Sequence, residues 1–202
     1  MDQDIPSDSE RIAFESQIRE SYGRVAYSHK AQEKMADRCV TYQAQLKLLQ
    51  IVLAAITASG VITAIFIGSI YLRYFNATVA FLTFIANGYA KNIDPGASAQ
   101  EHRQAASNIW NIREQYLSLL TDIKDTDISL NSLRIRRDEI QQQLHQVYKT
   151  APSTDDRAYK KAQEALKINE ELTFSESEID KLLPTKLRRT EVKPANCIES
   201  KS

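Results

Sequence analysis

Chain breakers are scarce in this sequence. Glycine and proline number five each in 202 residues, and long stretches contain neither. That argues against a turn-rich β-sandwich or barrel and for long helices. Two cysteines, Cys39 and Cys197, lie far apart and lack metal-ligand spacing. They suggest no disulfide framework, and a reducing compartment fits them. Neither sign of charge is in excess: Lys+Arg and Asp+Glu are 26 each, so the net charge is zero. A nucleic-acid partner favours a clearly basic chain, so direct nucleic-acid binding is not expected. There is no Gly-rich phosphate loop, no G-x-S-x-G turn and no convincing carboxylate pair. His29, His102 and His145 fall on different predicted helices, without an H-x-x-x-H spacing or a cysteine pair to make a metal site. These absences point away from an enzyme and from any cofactor or metal.

The apolar residues, by contrast, are concentrated. Residues 48–72 carry no charge and neither do residues 74–90, so Arg73 is the only charge between Lys47 and Lys91. At about 1.5 Å per residue the first run is long enough to cross a hydrocarbon layer of about 30 Å. The expectation is a hairpin of two transmembrane helices, at 48–70 and 74–90. The second is shorter and more polar, and it spans fully only if the turn lies near residues 68 and 69 and Arg73 snorkels outward. Tyr71 and Tyr74 sit at the turn, and Tyr42 and Tyr89 at the opposite side, where interfacial aromatics belong. Lys30, Lys34, Arg38 and Lys47 precede the hairpin, and Lys91 and Arg103 follow it. The excess of positive charge on that side places both termini in the cytoplasm. The apolar block begins well inside the sequence and lacks a small-residue cleavage site, so it does not read as a signal peptide. The rival reading is a buried helical hairpin inside a soluble bundle.

The flanking regions are polar and helical. Residues 1–9 read as a disordered N-terminus. Ile12, Ile18, Tyr22, Val25 and Ala26 then recur at helical spacing, interrupted by Gly23, and no strong breaker separates this helix from the first span. Asp94, Pro95 and Gly96 end the second span, with Ser98 as the N-cap of a helix running to about Asp122. Its apolar stripe is Ala99, His102, Ala106, Ile109, Tyr116, Leu120 and Ile123. Asp122, Asp125 and Asp127 flank a break and read as helix caps. Ser129 caps a helix bearing Leu133, Ile140, Leu144 and Val147, which ends at Ala151, Pro152 and Ser153. A further helix is expected over about 155–172. Ser175 to Glu178 is a capping-box signature for a short last helix before Pro184. Residues 98–183 thus form the expected cytosolic helices, and 185–202 read as a disordered tail. The fold class expected is all-α, a two-helix transmembrane hairpin with a cytosolic helical bundle built from N- and C-terminal helices.

Four segments in this order, SYGRVAYSHKAQEK (21–34), the two-span hairpin, EHRQAASNIWNIREQYLSLLTD (101–122) and YKKAQEALKINEELTFSESEIDKLLP (159–184), resemble the SLATT family. These are two-transmembrane effector domains associated with SMODS nucleotidyltransferases and SLOG nucleotide-binding proteins in bacterial conflict systems. The resemblance covers residues 10–184 and is nearest to stand-alone members, with a lean toward the branch linked to reverse transcriptases. It implies an anti-phage effector in the bacterial inner membrane. Such an effector forms a pore or disrupts the membrane on a signal, killing or arresting the cell. The implied partners are the lipid bilayer, further copies of the chain, and a nucleotide second messenger or a partner protein (nucleotidyltransferase, SLOG protein or reverse transcriptase). A passive membrane anchor for a sensor or polymerase is the alternative.

Three residue sets carry candidate roles. Gly60, Ala64 and Gly68, continued by Ala54 and Ala58, form a small-residue ladder suited to close helix packing, either between chains or between the two spans of one chain. Asn76, Ala80, Thr83 and Asn87 fall at i, i+4, i+7 and i+11. They are candidate pore-lining residues, or else hydrogen-bonding groups that join the hairpin. Trp110, Arg113 and Tyr116 lie on adjoining turns. They are either a stacking and anion-binding patch or core with a structural ion pair. The basic run Arg134, Arg136 and Arg137 reads as a solvated face or as a contact for anionic headgroups or a nucleic-acid-bearing partner.

Overall fold

The computed structural model describes residues 8–67 and 69–184, without the side chains of 64–67. Every regular element among them is a helix, as the scarcity of breakers predicts. The chain divides into two compact units, Met1–Gln163 and Glu164–Ser202. The N-terminal residues 1–7 and the tail 185–202 lie outside the described residues.

Helix α1 runs unbroken over Asp8–Ile67, 60 residues and about 90 Å. The first apolar run is therefore the distal part of one long helix, as expected. It starts earlier than anticipated, because Asp8 and Glu10 in its first turn complement the positive end of the helix dipole. Helix α2, Ile70–Ile93, follows with Ser69 as N-cap. It is 24 residues long, about 36 Å.

The α2–α3 corner is tighter than the breaker-rich segment suggested. Asp94 alone separates α2 from α3, Pro95–Asp122. Asp94 takes a left-handed conformation (φ 38°), and its carboxylate accepts from the Ala97 N–H at 3.1 Å. Pro95 opens α3, where its missing N–H costs nothing. Ser98 is therefore inside the helix and is not its N-cap.

The core of the first unit lies between the N-terminal half of α1, α3, and α4, Leu130–Thr150. Phe14, Ile18 and Val25 from α1 meet Ile109, Ile112, Tyr116, Leu119 and Ile123 from α3 and Leu130, Leu133 and Ile140 from α4. Each large apolar side chain so buried contributes about 1.5–3 kcal/mol. The core face of α1 is the expected one at Ile18, Tyr22, Val25 and Ala26 and differs at its first position. Ile12 is 66 % exposed, and Phe14 takes the inward place, four residues before Ile18. On α3 and α4 the predicted apolar positions do face inward, Leu120, Leu144 and Val147 being only partly covered.

The α3–α4 turn is held by long-range bonds. The Arg11 guanidinium donates to the carbonyls of Ile123 (2.7 Å), Asp125 (2.8 Å) and Ile128 (2.6 Å). Ser129 caps α4 through the Ser132 N–H, as expected. The acidic cluster does not cap helices: Asp122 pairs with Arg136, and Asp125 accepts from the Asp127 N–H within the turn. After α4 the Pro152 carbonyl accepts from Gln32 Nε2 at 2.8 Å, and Asp155 pairs with Arg38. These tie the start of α5, Asp156–Lys167, to α1.

In the second unit α5 ends at Lys167 rather than near residue 172. A turn follows in which Glu170 adopts φ 50°, and the Glu171 N–H reaches back to the Ala165 carbonyl. Helix α6, Glu176–Leu182, carries the expected capping box: Ser175 Oγ accepts from the Glu178 N–H, and Glu178 Oε2 accepts from the Ser175 N–H.

Candidate functional site

The distal part of α1 and α2 lie against one another through a seam with alternating three- and four-residue spacing. On α1 the partly covered positions are Gln43, Leu46, Gln50, Leu53, Thr57 and Gly60. On α2 the covered positions are Leu72, Asn76, Val79, Thr83, Ala86 and Ala90. This spacing is the knobs-into-holes signature of helices crossing at a shallow angle. Tyr42 and Tyr89 share a side-chain hydrogen bond at the base. Near the other end, Gly60 lies against Asn76: a Cβ at position 60 would stand 1.9 Å from Asn76 Oδ1. The Asn76 amide occupies the space a side chain at position 60 would fill, so any larger residue there must displace it. Asn76 is 8 % exposed, and neither its Oδ1 nor its Nδ2 finds a partner.

The four candidate residues on α2 therefore separate. Asn76 and Thr83 face α1, and Thr83 Oγ1 donates to the Val79 carbonyl at 2.8 Å. Ala80 and Asn87 are exposed. Gly60 faces α2, whereas Ala54 and Ala58 are exposed. The Ala64 side chain and Gly68 lie outside the described residues. The amides Gln43 and Gln50 join the seam without having been singled out, because their sequence neighbours give no sign of which way they face.

Away from the seam the pair is uncovered. The most apolar eighteen-residue stretch of α1 has no buried residue, and α1 is the one helix among the described residues that is long and apolar enough to cross a membrane by length and composition. The α2 helix is less apolar because it carries Arg73, Asn76, Asn87 and Lys91. Opposite its seam it exposes Tyr74, Phe75, Phe81, Leu82, Ile85 and Tyr89. Between seam and apolar face runs a third line, Arg73, Ala77, Ala80, Phe84, Asn87 and Lys91, all exposed. Phe84 is its one large apolar member.

The second candidate patch also separates. Trp110 and Arg113 meet Tyr22 and His29 of α1. The Arg113 guanidinium carbon lies 4.4 Å from the centroid of the Trp110 ring and 5.5 Å from that of Tyr22. It donates to Glu114 at 2.9 Å and to the Tyr22 hydroxyl at 3.0 Å. The His29 ring tilts against Trp110 at 5.2 Å. Burial holds His29 below the ordinary histidine range; Arg113 and Lys30 push the same way, and Glu33 opposes them. Tyr116 is 1 % exposed and belongs to the core. Burial raises its phenol pKa, with a hydrogen bond to Ser21 opposing. Elsewhere, Gln32 Oε1 lies 2.5 Å from His102 Nδ1. In the basic run, Arg134 pairs with Glu10, Arg136 with Asp122, and Arg137 with Asp138.

An uncovered apolar helix joined to a second helix and rooted in a charged helical bundle defines a membrane-associated all-helical protein. The chain belongs to the SMODS and SLOG-associating 2TM effector domain family, family 4, whose model matches residues 14–178. It is thus of the general kind of two-transmembrane effectors of conflict systems. No curated protein and no solved structure matches the chain.

Proposed function

We propose that the α1–α2 pair spans the bacterial inner membrane as a hairpin with both termini in the cytoplasm, and that several copies assemble into an ion-conducting pore when a signal arrives. The observation that carries this reading is the three-faced character of α2. A helix buried in a lone hairpin needs two faces, one for its partner and one for lipid. Here a third exposed line runs through Arg73, Ala77, Ala80, Phe84, Asn87 and Lys91; apart from Phe84 it offers small or polar groups, and lipid gives the polar ones no partner. In an assembly this line faces neighbouring copies or a water-filled centre. Asn76 and Thr83 lie in the seam against α1 and so stand apart from this line. The protein acts without catalysis, so the signal does its work by binding. A nucleotide second messenger or a partner protein (nucleotidyltransferase, SLOG protein or reverse transcriptase) shifts the assembly only if it binds the open form more tightly than the closed one.

Leakage from proteoliposomes tests the reading. Triggered or concentrated wild-type protein releases a trapped ion, Asn87→Leu lowers conductance, and Thr83→Leu acts through loss of hairpin stability. Cells expressing the protein with its trigger depolarise. Absence of leakage and depolarisation under every trigger would leave a passive anchor as the role of the hairpin.

A further inference from the structure

Several residues of the segment 21–34, the first of those that mark the chain as a family member, line an open cavity of about 940 Å³ between α1, α3, α4, the α4–α5 turn and the start of α5. Three features of this cavity stand out. First, four of the nine tyrosines of the chain, Tyr27, Tyr116, Tyr148 and Tyr159, line it. Tyr27 and Tyr159 stack with centroids 5.9 Å apart and planes at 28°, Tyr159 remains half exposed, and the Tyr148 hydroxyl donates to Ser28 at 2.9 Å. Second, the only charged residues in the wall are Glu20 and Arg24, which pair with each other at 2.6 Å. Third, Gly23 opens onto the cavity, and a Cβ built there would meet nothing within 4 Å.

Gly23 is the telling residue. A glycine inside a long helix costs about 1 kcal/mol relative to alanine. The usual compensation is close approach of a neighbouring backbone or side chain, as Asn76 provides at Gly60. At Gly23 no such neighbour exists, so the bare backbone of α1 faces open space. A ligand lying in the cavity would reach it. The volume is in the range of small-molecule sites, which are mostly apolar with a few placed polar groups. The Tyr27 and Tyr159 rings supply stacking faces, and Gln141, Ser153 and Thr154, all exposed in the wall, supply hydrogen-bonding edges. The one cation in the wall, Arg24, is paired with Glu20, so the lining carries no net positive charge.

We propose that this cavity binds an uncharged, planar heterocycle with hydrogen-bonding edges, of nucleobase or nucleoside type, seated over Gly23 and stacked against the Tyr27–Tyr159 pair. It adds a neutral ligand to the phosphorylated or protein signal in the reading above, and rests on that reading for its consequence, though not for the binding itself.

The test is saturation-transfer NMR on the full chain in nanodiscs, with adenosine and uridine as probes and adenosine 5′-monophosphate and methyl glucoside as comparators. Transfer to the base protons of at least one nucleoside is expected. It should weaken in Gly23→Ala, whose methyl stands between the ligand and the backbone of α1, and be lost in Gly23→Trp, which fills the cavity. Tyr159→Leu should weaken it. The proposal is overturned by no transfer to either nucleoside, by transfer to the glucoside alone, by binding that requires the phosphate, or by undiminished transfer in a folded Gly23→Trp. Leakage measured on proteoliposomes carrying the same protein and variants separates the two readings: leakage without nucleoside binding removes the ligand site alone, and nucleoside binding without leakage removes the pore alone.

Discussion

Gly60 and Asn76 occupy one space: the Asn76 amide lies where a side chain at position 60 would begin. The two positions must therefore respond to substitution together. Gly60→Ala alone must push the Asn76 amide aside or part the helices, and lowers the melting temperature in detergent or nanodiscs. Asn76→Ala removes an amide whose two polar atoms lack partners and costs little. In the double variant the new methyl has room, and a double-mutant cycle should show coupling of about 1 kcal/mol or more, within the range for residues in contact. Additive effects would mean that the two helices do not share this seam.

Arg11 is expected to matter more than its place near the N-terminus suggests. Its three bonds to the carbonyls of Ile123, Asp125 and Ile128 fasten the α3–α4 turn to α1. Hydrogen bonds from a charged donor contribute about 1.5–3 kcal/mol, so Arg11→Met should cost about 2 kcal/mol by denaturant unfolding. Lys124→Met, which removes a neighbouring ion pair to Glu15 on an exposed lysine, should change little. Equal losses from both would show that the turn is not held by Arg11.

The α2–α3 corner depends on Asp94. A β-branched residue at φ 38° loses the cap to Ala97 and incurs left-handed strain, together about 2–3 kcal/mol. Asp94→Val should therefore destabilise the hairpin strongly, while Asp94→Asn, which tolerates that backbone and keeps an acceptor, should melt near wild type. Matching melts for both variants would argue for a different corner.

Acid should weaken the bundle above the pH at which carboxylates titrate. Burial holds both His29 and His102 below the ordinary histidine range. The unfolded chain takes up these protons near pH 6.5, and the folded chain only lower. The contribution is present above the unfolded value and is lost as pH falls from about 6.5 toward the folded values. Glu15, Asp155 and Glu178 are also lowered, by hydrogen bonds, but their share is lost only below about pH 4.5. Melting temperature between pH 7 and 5 should thus fall less steeply in His29→Gln/His102→Gln than in wild type. Identical slopes would exclude the histidines as the cause.

What the sequence by itself determined was local. The charge-free block, the long helices, the Ser129 cap and the Ser175–Glu178 capping box could be read directly, because periodicity and short-range backbone bonds depend on residues a few positions apart. Even there, neighbours left some ends open: α3 begins at Pro95 because Asp94 accepts the left-handed backbone, and α5 stops at Lys167. The tertiary structure decided which way each polar residue faces. It turned Phe14 inward instead of Ile12. It placed Asn76 and Thr83 against α1 while leaving Ala80 and Asn87 exposed, and it brought Arg11 to a turn more than a hundred residues away. A stripe of polar residues on a helix is wide enough to be shared between two neighbours, and only the partner helix settles where one face ends and the next begins. The same reason hid the cavity. Gly23 reads as a weak point in a helix until α4 and α5 set Tyr148 and Tyr159 around the opening it leaves.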